Sequence, residues 1–420
     1  MAQGGIGAAK AFALAAGGMV GGGIYVSLGV IVEVAGAWAW ASFALAGLVI
    51  VPTAWSYARL SNLYRKSGGV FEFLEEADRA SWAGALSWLL IGGYTLTVAV
   101  YSFAFGHYLG FALGAPVWAD KGLAVAVVAC IVALNLGGVA KLTRVEIGIV
   151  SVNLVALLIL GLWGVTAGWS PANLSAPGAG NGPGQALIGA AVIFISYEGF
   201  QLLTYEYDEL DRPRRMLTPV MLAATFVVIG VYVLVALGAV SLAGAQAVID
   251  QQDVALSVAA RVAAGGWGLA GMTLAACCAT MAAINSTLFS TAKLSARVAR
   301  DRELPPAFAR TNANGIPSVG VLVIGAVAAA LAVLGSLTAL VEAASLIYVV
   351  TFGIVNWLCW READRVRWLP MAGIVGCAGL GVLLAWREAT HHPFGLMALG
   401  GMVAVAIFVR PWLLRRGASG

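Results

Sequence analysis

A run of glycines stands where the first apolar segment of the chain would cross the middle of a membrane. Residues 15–25 read AAGGMVGGGIY, and five of these eleven residues are glycine. Glycine destabilises a helix interior by about 1 kcal/mol relative to alanine, so we expect the helix to be interrupted here. Free backbone amides at such an interruption can hold an anion, and free carbonyls can hold a cation. Close helix packing through Gly17 and Gly21, four residues apart, is the alternative explanation.

A second irregularity lies in a later apolar segment, which reads AVIFISYEGFQLLTYEYDEL. It brings Ser196, Glu198 and Gly199 near the middle of the membrane. A carboxylate at that depth costs about 2.5–3.5 kcal/mol on the insertion scale. Glu198 therefore needs a polar partner or a water-filled cavity.

Two interrupted helices in matching halves of a chain are typical of transporters built from inverted repeats. Irregular backbone is tolerated at membrane depth only where it lines a cavity or is buried in protein. The amides at one interruption would bind a carboxylate, and the carbonyls at both would bind an ammonium group. An α-amino acid carries both groups on adjacent atoms, so it is the substrate that this pattern predicts.

The composition agrees with a membrane location. The chain has 420 residues, of which 61% are hydrophobic and 10% charged, with a formal net charge of +4. Soluble domains carry about 25% charged residues, so lipid must cover most of this surface. The small net charge gives no reason to expect a nucleic acid partner. The sequence shows no phosphate loop, metal-ligand cluster or nucleophile with a paired base, so we expect neither an enzyme nor an ATP-driven pump, and no catalytic or metal site.

Apolar runs of about 20 residues can cross the bilayer as helices. The sequence predicts an all-α integral membrane protein with twelve such spans and no separate soluble domain. The longest polar loops are 61–80, 208–215 and 300–315. The predicted spans are 7–31, 36–60, 81–113, 122–140, 143–168, 184–207, 216–243, 263–299, 316–334, 337–360, 367–386 and 394–414.

The basic residues predict the orientation of these spans. With the N-terminus inside, 21 of the 24 Lys and Arg residues fall on the inner side, and only Lys121, Arg261 and Arg387 fall outside. Positive charge is retained on the cytoplasmic side of a membrane. We therefore expect a multi-pass protein of the cytoplasmic (inner) membrane with both termini in the cytoplasm.

Four motifs in register with these spans resemble the amino acid–polyamine–organocation superfamily of secondary transporters. Its first-helix signature, G-x-I-[IV]-G-[SAG]-G-I-[FY], resembles residues 18–25, and its S-G-G-x-Y loop resembles residues 67–71. The sixth-helix run of F-x-G-F-E followed by E-x-x-N-P-x-R resembles residues 198–200 and 209–215. The end of the family's eighth helix resembles residues 283–285 and 299–305.

The resemblance implies a LeuT-like core of five plus five inverted repeats, with helices 1 and 6 discontinuous. This core would occupy residues 1–361, with helices 1–10 in 7–168 and 184–360, and two additional helices would occupy 362–420. It also implies the residues that bind substrate. The carboxylate would meet the amides of Gly21, Gly22 and Gly23, and the α-amino group would meet the carbonyls of Met19, Val20, Phe194, Ile195 and Ser196.

The coupling ion is less clear from the resemblance. Many proton-coupled permeases of the superfamily carry a lysine in helix five, and the alignment puts Asn153 at that position. Asn153 and Thr280 are candidate sodium ligands together with carbonyls of the first span, and an interhelical hydrogen bond is the alternative role. Glu198 either carries a proton or clamps the two interruptions together. No cofactor is expected beyond H⁺ or Na⁺ as a coupling ion.

The sequence thus predicts a secondary transporter that works by alternating access on a neutral or hydrophobic α-amino acid. Glu198, Gly199 and Tyr101 complete the predicted substrate site, Tyr101 by lining the side-chain pocket. A carrier of polyamines or cationic amino acids, with Glu198 as its anionic anchor, is one alternative. A membrane-embedded sensor or binding subunit without flux is another. The expected partners are the substrate and membrane lipid, with no obligatory protein partner.

Overall fold

The computed structural model of the protein describes residues 5–77, 80–138, 143–176, 182–362, 366–391 and 393–405. Parts of several predictions lie outside these residues. They include the end of the span predicted at 122–140, the end of the span predicted at 394–414, and the C-terminus. Within the described residues the chain is helical, and the only β pairing is an isolated bridge between Ile6 and Leu210.

The α-helices are numbered here in chain order. Their bounds are α1 Ala8–Val20, α2 Gly23–Ala35, α3 Ala39–Tyr64, α4 Gly69–Glu76, α5 Ala80–Leu113, α6 Val117–Leu136, α7 Thr143–Thr166, α8 Pro183–Val192, α9 Pro213–Ala243, α10 Ala245–Asp250, α11 Ala255–Arg300, α12 Ser318–Leu334, α13 Leu337–Glu362, α14 Trp368–Thr390 and α15 Phe394–Ala404. Short 3-10 helices occupy Gly36–Trp38, Pro171–Leu174, Phe194–Tyr197, Phe200–Glu209, Gln252–Val254 and Pro306–Ala309.

Among the described residues, eight helical stretches are long and apolar enough to cross a membrane, or nine if Pro183–Val192 and Phe194–Glu209 form one bent span. One stretch, Ala8–Tyr64, is 57 residues long and contains two of the predicted spans. The apolar helices α12 and α15 are shorter than a full span in the described residues. α12 falls within the predicted span 316–334, and α15 covers the first part of the predicted span 394–414, whose end lies outside the described residues. The protein is therefore a multi-pass membrane protein, and the number twelve stays a prediction.

Three details of the helices differ from the sequence prediction. The loop predicted at 61–80 contains α4, which begins at Gly69, and both Gly68 and Gly69 have positive φ. The span predicted at 263–299 begins earlier, at Ala255, and α11 is kinked at Ala264 and Gly265. The φ of +58° at Gly265 is a conformation that residues with a Cβ rarely adopt.

The first interruption lies between α1 and α2. α1 ends with a hydrogen bond of 2.8 Å from the amide of Gly21 to the carbonyl of Gly17. Gly22 has φ −146° and ψ −23°, so its backbone is not helical, and α2 begins at Gly23. The glycines therefore do interrupt the helix, and the packing explanation alone is not sufficient.

The second interruption follows α8. Phe194–Tyr197 forms a single 3-10 turn, Glu198 is extended with φ −63° and ψ 145°, and Gly199 has φ +116°. A second 3-10 helix, Phe200–Glu209, then continues at 62° to α8. Because a φ of +116° favours glycine, Gly199 permits this bend.

The N-terminal residues tie the start of α1 to the end of the second interrupted helix. Ile6 donates its amide to the carbonyl of Glu209 at 2.8 Å, and it accepts a hydrogen bond from the amide of Asp211 at 3.2 Å. Around these interruptions, α5 packs along α11, while α3 and α7 pack along α9. α1 in turn packs against α7 and α9, so these long helices surround the interrupted ones.

Candidate functional site

The two interrupted helices touch through their glycines. A Cβ built on Gly18 would lie 2.7 Å from the carbonyl oxygen of Gly199, and a Cβ built on Gly199 would lie 2.3 Å from the carbonyl carbon of Gly18. A Cβ on Gly23 would lie 2.2 Å from the carbonyl oxygen of Ser196. Because these neighbours are backbone atoms, the contacts require glycine at all three positions.

Tyr232, on α9, joins the two interruptions by hydrogen bonds. Its hydroxyl lies 2.7 Å from the carbonyl oxygen of Met19 and 3.0 Å from that of Ser196. The side chain is fully buried, so water cannot replace these contacts. The sequence analysis assigned the carbonyls of Met19 and Ser196 to substrate, and the structure shows that one hydroxyl already contacts both.

Asn153, on α7, links the two halves of the first interrupted helix. Its side-chain amide donates to the carbonyl of Val20 at 3.2 Å. Its side-chain oxygen accepts a short hydrogen bond from the hydroxyl of Tyr25. Tyr108 in turn donates to the carbonyl of Tyr25 at 3.2 Å. Asn153 thus makes the interhelical hydrogen bonds that the sequence analysis gave as its alternative role.

The backbone of the second interruption also has side-chain partners. Ser345, on α13, donates to the carbonyl of Val192 at 2.6 Å and accepts from the amide of Ile195 at 3.0 Å. The hydroxyls of Ser196 and Ser27 share a short hydrogen bond. Side chains from α13 and α2 therefore stabilise the end of α8 and the 3-10 turn that follows it.

Glu198 is 1% exposed and has polar partners on both carboxylate oxygens. Gln201 donates to one oxygen at 3.0 Å, and the hydroxyl of Tyr101 donates to the other at 3.3 Å. Gln201 also accepts from the amide of Gly199 at 2.9 Å. Because hydrogen bonds of this kind offset the cost of burying a polar group, the carboxylate is accommodated within the bundle.

Tyr101 covers the first interruption as well. A Cβ on Gly22 would lie 2.1 Å from Cε1 of the Tyr101 ring and 2.8 Å from Cζ. The ring therefore lies against the backbone of Gly22, while its hydroxyl reaches Glu198. Tyr101 connects the glycine of one interruption with the carboxylate of the other.

A cavity of about 170 Å³ leads up to the interruptions from the end of the bundle that carries the N-terminal residues. Its walls come from α1, α7, α11 and the 3-10 helix Phe200–Glu209. The deep end of the cavity reaches Gly18, Gly21 and Asn153. The charged residues that line the cavity are Lys10, Lys293, Glu206 and Glu209. The volume is enough for several water molecules. Beside the deep end, the Tyr101 ring lies against Gly22.

The predicted site residues take different positions around this cavity. Gly21 and Asn153 line it. Met19, Val20, Gly22, Gly23, Phe194, Ile195, Ser196, Glu198 and Tyr101 are buried next to it, and Gly199 is buried against Gly18. Thr280 is buried on α11, and its hydroxyl donates to the carbonyl of Ala276 at 2.7 Å within its own helix.

Sequence reasoning missed two tyrosines of this site. Tyr232 lies in a helix that reads as uniformly apolar, and no motif distinguishes it. Tyr25 is the last residue of the glycine signature, and only the fold shows that its hydroxyl meets Asn153. No group of three or more His, Cys, Asp or Glu side chains suited to a metal ion occurs in the part of the chain that the structure describes.

Comparison with known proteins identifies the family. The amino acid permease family model matches residues 6–408. An uncharacterized transporter of Mycobacterium tuberculosis is 27% identical over 98% of this chain and 92% of its own length. The inner membrane transport protein YbaT of Escherichia coli is 28% identical over 69% of this chain and 68% of its own. The uncharacterized amino acid permease YecA of Bacillus subtilis is 24% identical over 92% of both chains.

These matches confirm the resemblance seen in the motifs. The family match and the names of the relatives indicate a transporter rather than an enzyme. The chain belongs to the amino acid permease family and is an amino acid transporter of the membrane.

Proposed function

We propose that the protein carries a neutral or hydrophobic α-amino acid across the cytoplasmic membrane by alternating access. The observation that carries this proposal is the contact between the two interruptions at the deep end of the cavity. Gly18 meets Gly199 and Gly23 meets Ser196 there, so amides and carbonyls from both helices converge on one place. Such convergence suits the two opposite charges of an amino acid backbone.

The substrate carboxylate would bind at the start of α2. The first hydrogen bond there runs from the amide of Val26 to the carbonyl of Gly22 at 3.2 Å. The preceding amides have no partner within α2, as at any helix N-terminus, and the helix dipole favours an anion there. In this conformation the amide of Gly21 bonds the carbonyl of Gly17, the Tyr101 ring lies against Gly22, and the carbonyl of Ser196 lies against Gly23. Binding of the carboxylate would therefore require these contacts to open.

The substrate ammonium group would bind the carbonyls of Met19, Val20, Phe194, Ile195 and Ser196. The carbonyl oxygens of Met19 and Ser196 each contact the Tyr232 hydroxyl. A carbonyl oxygen has two lone pairs, so each can accept a second hydrogen bond from the ammonium group. Tyr232 would then orient these acceptors rather than compete with substrate.

The walls of the cavity favour a neutral side chain. Near the interruptions they consist of small or apolar groups, such as Gly17, Ala279 and Ala283. Glu198 is the acid next to the interruptions, and Gln201 and Tyr101 hold its two oxygens. A cationic substrate would need a carboxylate that is free to pair with it, so a polyamine or cationic amino acid carrier is the second candidate.

Glu198 accepts from Gln201 and Tyr101 rather than from amides of the first interrupted helix. We propose that it clamps the two interruptions indirectly, through the Tyr101 ring that lies against Gly22, rather than carrying a proton. Asn153 and Thr280 remain the candidates for a sodium site, since oxygen ligands suit hard cations. The Asn153 oxygen accepts from Tyr25 and the Thr280 hydroxyl donates to its own helix. These bonds favour structural roles for both residues, with H⁺ and Na⁺ kept as the ions to be tested.

The wider architecture that we propose is twelve spans, with a five-plus-five core over 1–361 and two further helices over 362–420. The packing of α3 with α9, α5 with α11 and α6 with α12 supports this arrangement, because each pair joins helices of equivalent position in the two repeats. The distribution of basic residues supports cytoplasmic termini. The cavity would then open to the cytoplasm.

Counterflow in proteoliposomes tests the proposal. Vesicles are preloaded with a single amino acid or polyamine, and entry of the same labelled compound is followed without an ion gradient. Stimulation by neutral amino acids is the expected result, and pH or sodium gradients are then imposed in turn. Stimulation only by lysine or polyamines would move Glu198 into the substrate site. Binding without entry would instead indicate a sensor or binding subunit.

A further inference from the structure

A cleft lined by four arginines lies where α3 ends and α9 begins, away from the cavity described above. Its volume is about 570 Å³, and its lining residues are Arg65, Tyr207, Arg212, Pro213, Arg214 and Arg215. All four arginine side chains are exposed. The cleft therefore concentrates positive charge from two segments that are about 150 residues apart in the chain.

The arginines of this cleft have acidic neighbours in the sequence, at Asp208, Glu209 and Asp211. Among the residues that the structure describes, no carboxylate forms a salt bridge with any of the four arginines. Other basic groups at the same end of the bundle do have such partners. Arg297 and Lys66 both pair with Glu72, at 3.3 Å in the case of Lys66. The four guanidinium groups are thus available to an anion from outside the chain.

The backbone of the cleft adds to this preference for an anion. Arg65 caps α3 with φ 58° and ψ 39°, a conformation in which glycine is strongly favoured at the ends of helices. An arginine here keeps its guanidinium group in the cleft at a conformational cost. α9 begins at Pro213, so the N-terminus of a 31-residue helix also faces the cleft and favours negative charge.

The position of the cleft identifies the anion. α3 and α9 both belong to stretches that are long and apolar enough to cross the membrane, and the cleft lies at the ends of both. Lipid headgroups occupy this level of the bilayer. Guanidinium groups bind phosphate by pairs of parallel hydrogen bonds. A phospholipid phosphate is therefore the anion that reaches the cleft at the highest local concentration.

We propose that this cleft is a binding site for the headgroup of an anionic phospholipid. The assignment to the inner leaflet rests on the proposed orientation of the protein. The site itself does not depend on the substrate or on transport.

The test compares two charge-matched double variants of the full chain, purified in detergent and titrated with phosphatidylglycerol in native mass spectrometry. Arg65→Gln with Arg214→Gln removes two charges from the cleft. Arg300→Gln with Arg310→Gln removes two exposed charges outside it. Each basic residue near an anionic surface contributes about fivefold in affinity, so the cleft variant should bind this lipid about 25-fold more weakly. The control variant should bind like the unmodified protein.

Three results would overturn the proposal. The first is equal loss of binding in both variants, which would indicate a general effect of surface charge. The second is equal binding of phosphatidylcholine, which would show that the negative charge of the lipid is irrelevant. The third is displacement of the lipid by millimolar inorganic phosphate, which would make the cleft a site for soluble anions. Because the readout is lipid binding, failure of the proposed transport activity would not affect it.

Discussion

The two interrupted helices break in different ways. The first breaks because side chains are missing, since Gly21 and Gly22 separate α1 from α2 and leave room for the Tyr101 ring. The second breaks around side chains that are present, since Glu198 and Gln201 bind each other and Gln201 binds the amide of Gly199. The first interruption is therefore a stretch of backbone without side chains, and the second contains side chains that hydrogen-bond to each other and to the backbone.

The difference shows where each interruption gets its stability. The carbonyls that end α1 depend on distant helices, because Asn153 of α7 and Tyr232 of α9 hold Val20 and Met19. The second interruption also uses distant helices, through Ser345 of α13 and Ser27 of α2, but Glu198 and Gln201 in addition bind each other locally. Changes in the first should therefore disturb substrate binding most, whereas conservative changes in the second should be tolerated better.

The largest effect is expected from filling the first interruption. In Gly22→Leu the new side chain must displace the Tyr101 ring, which would lie 2.1 Å from its Cβ. Overpacking costs about 1–3 kcal/mol, which corresponds to a fall in substrate affinity of about 5- to 150-fold, and counterflow should approach that of empty liposomes. Gly230→Leu is the control, because a Cβ there meets no atom within 4 Å. Unchanged affinity in Gly22→Leu would remove this interruption from the substrate site.

Next in size is the loss of the hydroxyl that joins the two interruptions. Tyr232→Phe leaves the carbonyls of Met19 and Ser196 without this buried donor, and an unsatisfied buried group costs about 1–3 kcal/mol. The free energy of unfolding in detergent should fall by about that amount. Tyr57→Phe provides the matched control, since the buried Tyr57 hydroxyl has no partner among the described residues. Equal stability of the two variants would show that the Tyr232 bridge contributes nothing.

A smaller effect is expected from Asn153→Ala, which removes the link between Val20 and Tyr25. Interhelical hydrogen bonds in membranes contribute about 0.6 kcal/mol on average and about 1.7 kcal/mol at most, and stability should fall within this range. Ser151→Ala serves as the control, because its hydroxyl bonds only its own helix, at Ile147. Transport should show no sodium dependence in either variant. Loss of a sodium-driven rate in Asn153→Ala alone would instead make Asn153 an ion ligand.

Replacement of the buried acid should leave accumulation unchanged. Glu198→Gln keeps an oxygen that can accept a hydrogen bond from Gln201 or Tyr101, so the clamp should persist with a loss of about 1 kcal/mol. Substrate uptake driven by a pH gradient should match that of the unmodified protein. A variant that exchanges substrate but no longer accumulates it would show that Glu198 carries the proton.

The smallest effect is expected at Thr280. Its hydroxyl donates to carbonyls of its own helix, at 2.7 Å to Ala276 and 3.2 Å to Cys277. Those carbonyls belong to the regular helix α11, so Thr280→Val should change stability by less than about 0.5 kcal/mol. Transport measured with and without sodium should also be unchanged. A sodium-dependent rate that disappears in this variant would contradict the structural role.

Both interruptions were predictable from the sequence, for different reasons. The glycine run indicated the first because several glycines together weaken a helix. Glu198 indicated the second because a carboxylate at mid-membrane depth requires special surroundings. The kink of α11 at Gly265 had a comparable signal, the pair Gly265 and Gly266, but both lie within the predicted span 263–299 and no kink was predicted there.

The contacts that complete the site were not predictable in the same way. Tyr232 and Met19 are 213 residues apart, so their contact depends on how α9 packs against α1. Similarly, the length of α3 suggested a span, but nothing in it indicated that the hydroxyl of Tyr57 would be buried without a hydrogen-bond partner among the described residues. Sequence patterns identify residues that destabilise the transmembrane helix in which they lie. They do not identify the partner from another helix.

The bridge at Ile6 has a mechanical consequence. α1 is attached to the second interrupted helix at two points, through Ile6 near its start and through Gly18 near its end. Its 13 residues separate these points by about 20 Å. A helix that contacts the same neighbour at both ends cannot rotate independently of that neighbour. If the inner passage widens or narrows during the transport cycle, α1 and Phe200–Glu209 must move together as one rigid body. The glycines of the two interruptions would be the hinge of this motion.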